Sequence, residues 1–544
     1  MAGKRATKIA VVGFGPRGLG ALEALAEQAA SDAMALNVDL FEPAFPPGAG
    51  PNFDPDESPV CQLNIPMRDI DIRPPRGSRC GAFADWLTPA PGPDMFPRRR
   101  DLGRYLAARY DDLRRDGGLA LRHDTAAIDS VERGGDGWML RRGPQSFGPY
   151  DEVLLTLGQP AVAPDEQLGE WQTHAAETGA VLRQAYPAWK LQRDAAGWTG
   201  QTVAIRGLAL SAFDVIRLLT LGQGGRFKNG RYINSGSEPG LLVPFSLEGL
   251  PPFPKPETAA LDARFEPTEA ETDAFARAIS SASEATPDVA RAQVSGALLA
   301  AVRRVLDEIG DASDDAADWL DREWDDPGSQ ETGPATRALD AGIAMAEGRV
   351  APSAGYVFGQ VWRKWQNALR RGYNLASTPP ETARMLVAFD EGLKRYSYGP
   401  PVSASRELAA LVAAGVVTLD FTADPVISMT GTGWTLAANG AGVEADVMVD
   451  GVLPSPDLSQ VRTPLITGLI AQGRLCAISD GLAANVVADG QLLDRDGHIV
   501  PGLGFLGRLA LGSVIAADSL HDCFGQASVR WARGVIARNM QRRN

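Results

Sequence analysis

Three glycines in Lys8 to Ala24, KIAVVGFGPRGLGALEA, stand at spacings that suit the gripping of a diphosphate. Gly13 permits a tight turn, Gly15 lets backbone approach a pyrophosphate, and Gly18 lets a helix pack closely on the preceding strand. A helix beginning there offers free N–H groups and the positive end of its dipole to phosphate oxygens, with Pro16 and Arg17 as further contacts inside the turn. The elements needed to hold this turn are present: β-like Ile9, Val11 and Val12 precede it, helix formers follow, and a second β-like run from Val38 to Phe41 ends in Glu42. That carboxylate falls about 20 residues or slightly more past the last glycine, where a dinucleotide fold meets a ribose.

A Pro/Gly-rich stretch from Pro43 to Pro75 follows, longer than ordinary connections and so either functional or disordered. Its interleaved Phe45, Phe53, Leu63, Ile65, Ile70 and Ile72 call for burial and oppose disorder. Gly48 and Gly50 permit close backbone approach, while Gln62, Asn64 and Arg68 bring amide and guanidinium groups that suit a heteroaromatic ring edge. The expectation is an ordered loop over a cofactor, with Gly50, Asn52, Gln62, Leu63 and Asn64 as contacts; a structural crossover is the alternative.

Thr202 to Leu219, TVAIRGLALSAFDVIRLL, repeats the order strand, turn, helix. Gly207 stands first, Ala209 replaces the second glycine and Ala212 the third, so the unit either binds a dinucleotide or has kept only the shape. Ser211 is its candidate nicotinamide-side contact, and Arg226, Lys228 and Arg231 suit either a 2′-phosphate, favouring NADPH over NADH, or a solvated loop. Near the other end, Gly502 to Ile515 reads as strand, glycine turn and helix, with Gly507, Arg508, Ser513 and Val514 as candidate contacts to the electron-rich edge of a ring.

Composition narrows the class. The 544 residues are 44% hydrophobic and 22% charged, enough for two to four globular domains. A formal charge of −14 opposes nucleic acid and anionic lipid as partners. No apolar run reaches the roughly 20 residues of a membrane span, and the N-terminal residues pass into the first strand without a signal-peptide core, so a cytoplasmic chain is expected, with homo-oligomerisation left open. Cys61, Cys80, Cys476 and Cys523 form no CxxC pair, which leaves redox chemistry to a bound cofactor.

Between these motifs, helices are expected at 83–87 and 98–113, and short strands at 119–122, 126–131 (with Ala127 as a cofactor contact), 138–142 and 153–157, the last ending in Gly158. Helices are expected at 289–309 and 313–324, where Asp314, Asp315, Asp318, Asp321, Asp325 and Asp326 match no calcium loop and suit a solvated face; no metal site is expected. The aromatic and basic run from Tyr356 to Tyr373 suits an anion-binding wall, a lid or core packing with snorkelling cations. His123, His174 and His498 read as structural or exposed, and His521 as the best outsider for acid/base work.

The turn with Glu42, the ending Thr156 to Gly158 and the C-terminal unit resemble two-dinucleotide flavoproteins. Gly48 to Pro55 (GAGPNFDP), Gln62 to Asp69 (QLNIPMRD), Phe96 to Leu106, Ser235 to Pro239, Pro244 to Ser246 and Gly507-Arg508 make the chain similar to the FAD/NAD(P)-binding family distantly related to ornithine and lysine N-hydroxylases. The resemblance implies an α/β, two-dinucleotide-binding architecture: residues 1–200 and 451–544 for FAD, 201–256 and 401–450 for NAD(P), and a mainly helical insertion at 257–400. It implies FAD, NADPH, O₂ and a flavin C4a-(hydro)peroxide, with a small amino acid such as aspartate oxidised at its amine to nitrosuccinate. Asn64 and Gln62 are the candidates for catalytic hydrogen bonds, and Arg68 or Arg73 for a carboxylate clamp. Hydroxylation of a heterocycle such as urate, NAD(P)H oxidase or reductase activity, and a non-catalytic FAD-binding partner are the alternatives.

Overall fold

The strand Thr7–Val12 runs through the interior of a six-stranded sheet, flanked in parallel by Leu36–Phe41 and Glu152–Leu155. Its continuous apolar run from Ile9 to Val12 is buried on both faces, as a parallel strand requires. Ala120–Asp124 extends one side; Ile499–Phe505 extends the other in parallel, edged by antiparallel Gln491–Leu493. The two ends of the chain therefore build one sheet, and the C-terminal helix Gln526–Arg543 packs on the first helix, Pro16–Ser31. In this computed structural model residues 6–32, 34–310, 315–374 and 377–543 are described; Asp314 and the expected start of its helix lie outside them.

Glycine turns lead through an antiparallel meander, Ser130–Gly134, Gly137–Arg142 and Gln145–Tyr150, before the chain re-enters the sheet. Ala127 precedes the meander rather than lying in a strand, because the chain after Asp124 is still turning, with the Ala126 N–H held by Asp124 Oδ1 at 2.9 Å.

A second, wholly parallel sheet has the order Leu241–Phe245, Thr202–Arg206, Val447–Asp450, Val181–Gln184. Its strand Val181–Gln184 precedes the boundary expected at residue 200, because it pairs with Val447–Asp450 and not with the first sheet. The inserted sheet thus spans 181–450 and encloses a helical body whose core is aromatic. Phe275 stacks on Trp365 at 4.2 Å, Trp319 on Phe358 at 4.6 Å and Trp324 on Phe389 at 3.7 Å. The aromatic and basic run from Tyr356 to Tyr373 falls in two helices, Ala354–Lys364 and Gln366–Tyr373, which meet at buried Trp365.

One buried acid inside this body carries a measurable cost. Glu323 is fully buried; its Oε1 accepts the Gly328 N–H at 2.6 Å and its Oε2 has no partner among the described residues. Burial pushes its carboxyl up to about 7. The folded chain therefore holds a proton that the unfolded chain has lost between the ordinary carboxylate value and pH 7, so stability falls as pH rises through that window. Glu323→Gln keeps the acceptor and removes the ionisation. It should be the more stable protein at pH 8, by up to roughly 3 kcal/mol, and lose that advantage at pH 4.5 in urea titrations; an equal difference at both pH values contradicts this account.

Candidate functional site

Four distant segments meet at the C-terminal end of Thr7–Val12. Gly13 turns at φ +78°, where a Cβ would sit 2.7 Å from the Thr156 carbonyl oxygen. Gly15 opens the 16–31 helix at φ −83°, and the nearest atom to a Cβ there is the Gly50 Cα at 3.6 Å. A Cβ at Gly507 would meet Arg17 Nε at 3.7 Å, and one at Gly158 would meet nothing within 4 Å. Backbone and glycine bound this crevice, and side chains do not fill it.

The crevice also has the right unsatisfied groups. No side chain caps the 16–31 helix, and the N–H groups of Gly15, Arg17 and Gly18 meet no acceptor among the described residues. A 16-residue helix with free first-turn donors is an anion site. Glu42 lies at the end of Leu36–Phe41, its two oxygens accepting the N–H groups of Phe14 at 2.9 Å and Ala44 at 3.1 Å. The residues present fit a dinucleotide.

Arg17 has another task. Its guanidinium donates to the carbonyls of Asp522 at 2.6 Å and Ala517 at 2.8 Å and pairs with the Asp522 carboxylate at 2.7 Å, fastening the C-terminal segment to the first helix.

Beside the crevice opens a cleft of about 1700 Å³ with three walls. The first sheet's loops supply Asn52, Asn64, Arg68, Arg508 and the 518–527 segment; the second sheet supplies Gly207, Ala209 and Ser211; the helical body supplies Lys255, Arg363 and Arg370. Gly207 turns at φ +108° and Ala209 caps the helix Leu210–Leu219 without a side-chain hydrogen bond, so alanine in the second glycine's place leaves that helix end open to the cleft. Among the described residues, eleven Lys and Arg and seven Asp and Glu line the cleft, a positive site in a chain of charge −14.

Several expected residues stand elsewhere. The Gln62 amide oxygen accepts from Arg217 Nη1, tying the loop to the second unit and not lining the cleft, whereas Leu63, though buried, does line it. Arg73 is 83% exposed and pairs with Asp71 at 3.0 Å, while Arg68 is spent on Asp94. Arg226 lies in the hairpin Arg226–Lys228 and Arg231–Ile233, which precedes the start of Leu241–Phe245; the parallel pairing puts that start at the end of the sheet away from Gly207. Ser513 and Val514 do not line the cleft. The Ser513 hydroxyl donates to the Ala484 carbonyl at 3.1 Å and accepts the Val486 N–H at 3.0 Å, and the chain turns before its helix begins at Gln526. Ala127 is exposed and also outside the cleft.

His521 does line it. Its Nε2 sits 2.7 Å from the Asp69 carbonyl, and burial, helped by the charge of Arg370, holds the imidazole below its ordinary range. Lys255 drew no attention as sequence and Arg370 only as part of the basic run from Tyr356 to Tyr373, yet both are buried cations in the cleft. Lys255 Nζ donates to the Asn64 carbonyl, and burial, then the Arg363 charge, lowers its ammonium to about 7. Arg370 donates to Asn367 Oδ1 at 3.2 Å through Nη2, and its Nη1 has no partner among the described residues.

Residues 10–160 match the FAD-NAD(P)-binding family. The chain is 31% identical over 267 residues to nitrosuccinic acid synthase of Aspergillus oryzae, a match covering 45% of this chain and 40% of that protein. It is 26% identical over 566 aligned positions to the nitrosuccinate-forming L-aspartate N-monooxygenase of Streptomyces davaonensis, covering 86% of this chain and 85% of the relative. In fold it is similar to the FAD-bound cadaverine monooxygenase of Erwinia amylovora, with a TM-score of 0.53, 12% identity, and coverage of 98% of this chain and 95% of the other.

Proposed function

We propose, for a chain with an FAD/NAD(P)-binding Rossmann-type fold and sequence similarity to aspartate N-monooxygenases, that it is an FAD- and NADPH-dependent monooxygenase oxygenating the amine of a small amino acid, aspartate first, towards nitrosuccinate. The observation that carries the reading is the three-walled cleft, where the loop around Asn64, the helix end at Gly207 to Ser211 and the helical body face one volume. A flavin ring, a nicotinamide and a small amine need such a junction.

In this reading the N–H groups of Gly15, Arg17 and Gly18 hold the FAD diphosphate, and Glu42 the adjoining ribose. Residues 1–160 and 451–544 form the FAD unit, and the sheet spanning 181–450 the nicotinamide unit with its helical insertion. Reduced FAD supplies the oxygen-activating chemistry. Asn64 borders the reacting volume, the buried walls exclude water, and the neutral His521 imidazole suits taking the proton from an incoming ammonium.

The test is NADPH consumption by the yellow holoenzyme with a panel of amino acids and purines, read together with ¹⁸O incorporation from O₂. Aspartate-dependent consumption with label in the product is expected. Consumption matched by full release of hydrogen peroxide, whatever is added, makes the protein an oxidase; label entering a purine moves the substrate to the heterocycles.

A further inference from the structure

We propose that Arg370 and Lys255 are the two poles of a dicarboxylate clamp, so that the cleft takes small amines carrying two carboxylates. The inference rests on the amine-oxygenation reading for its substrate's amine, but not for its carboxylates.

Several of the cations around the cleft are already spent. Arg363 pairs with Asp262 and Asp69, Lys364 with Asp262 and Glu266, Arg68 with Asp94, Lys394 with Asp518 and Glu391, and Arg508 with Asp518. Lys255 and Arg370 have no carboxylate within ion-pair distance among the described residues, although they are only 6% and 8% exposed. Burying a charge without a counter-charge is costly, and buried guanidinium nitrogens are almost always bonded. Arg370 nevertheless lines the cleft, and its Nη1, itself enclosed by protein, has no hydrogen-bond partner among the described residues. A guanidinium buried in the wall of a cleft without a counter-charge suits a carboxylate bound there.

The two cations flank one stretch of chain. Lys255 sits on the carbonyl of Asn64, and the charge of Arg370 acts on His521, whose ring holds the carbonyl of Asp69. They therefore address the two ends of the 64–69 segment, beside the amide of Asn64. One carboxylate at each pole leaves the amine of the substrate between them. The electrostatics agree: a net positive cleft in an acidic chain draws a dianion towards it.

The experiment uses FAD-loaded protein and succinate, which has both carboxylates and no amine, as the binding probe. Arg370→Met and Lys255→Met should each weaken succinate binding by roughly tenfold or more, with Arg370→Lys restoring part of the loss. With aspartate each should raise KM far more than it lowers kcat, while flavin content and the KM for NADPH stay within about twofold of wild type. A shift in the NADPH KM with unchanged succinate binding assigns the cations to the nicotinamide cofactor and overturns the clamp, as does wild-type succinate affinity in both Met variants. Arg370-dependent succinate binding in a protein that oxygenates no amino acid keeps the clamp and removes the activity; aspartate oxygenated with unchanged KM by both Met variants does the reverse.

Discussion

Gly15→Ala protein is expected to fold normally and to emerge colourless from desalting. The three glycines of the first turn do different work, and the structure separates them. A Cβ at Gly13 would lie 2.7 Å from the Thr156 carbonyl at a positive φ, and one at Gly18 would lie 2.8 Å from the Phe14 ring, so both substitutions damage the fold. Gly15 has φ −83°, open to any L-residue, and its Cβ would make ordinary contact with Gly50 at 3.6 Å. Nothing in the protein requires glycine there. What requires it is a ligand lying against the free N–H groups of the helix end, because a methyl group would hold a diphosphate off its donors. The expected loss in FAD affinity is about a hundredfold, or roughly 3 kcal/mol, with the melting temperature of the flavin-free protein nearly unchanged. Flavin absorbance after desalting, set beside that melting temperature, is the measurement. A Gly15→Ala protein that stays fully yellow would show that the diphosphate lies elsewhere.

Such local features were readable from the sequence because their physics is local. The turn at Gly13 to Gly18 and the second strand, turn and helix at Gly207 each depend on residues a few positions apart, and the acid at Glu42 on the end of the next strand. That both chain ends serve one unit was expected through the resemblance; in the structure the C-terminal strand joins the first sheet, with Leu503 pairing with Val153. Pairing state was not readable. Arg73 and Arg370 look alike as letters, yet Arg73 is neutralised two residues away by Asp71 while Arg370 is carried by a helix to the wall of a cleft with no carboxylate at ion-pair distance among the described residues. Sheet order decided Arg226, whose place just after a nucleotide-type helix suggested a phosphate contact until the parallel pairing of Leu241–Phe245 put it at the far end. The segment after Gly507 defeated the helical pattern for a related reason: Arg508 meets Gln159, Asp518 and the Pro454 carbonyl, partners 349, 10 and 54 residues away, which the local pattern does not show.

Lys255→Met is expected to make the substrate-free holoenzyme more stable at pH 6.5, and the size of the gain should depend on pH in one direction only. The ammonium of Lys255 sits against the Asn64 carbonyl with Arg363 and Arg68 on one side of the balance and Asp69 and Asp262 on the other. Burial and the Arg363 charge outweigh the acids and bring it from an ordinary value of 10.5 to about 7. Between those values the unfolded chain carries a proton that the folded chain has shed, so stability rises with pH across this window, and below it the whole penalty is present. The penalty has an upper bound on the order of 4–5 kcal/mol. Methionine fills a similar volume without a charge, so the variant should lose this slope and exceed wild type by a few kcal/mol near pH 6.5, the difference shrinking towards pH 10. A bound dicarboxylate reverses the balance, since an anion on Nζ favours the charged form. Succinate should therefore bind wild type with uptake of a proton, its affinity falling as pH rises above about 7, and the Met variant should show no such fall. Urea midpoints and succinate titrations at pH 6.5, 8 and 9.5 measure both. A wild-type succinate affinity that is flat over this range would mean that the lysine is not in contact with the carboxylate, whatever its effect on the fold.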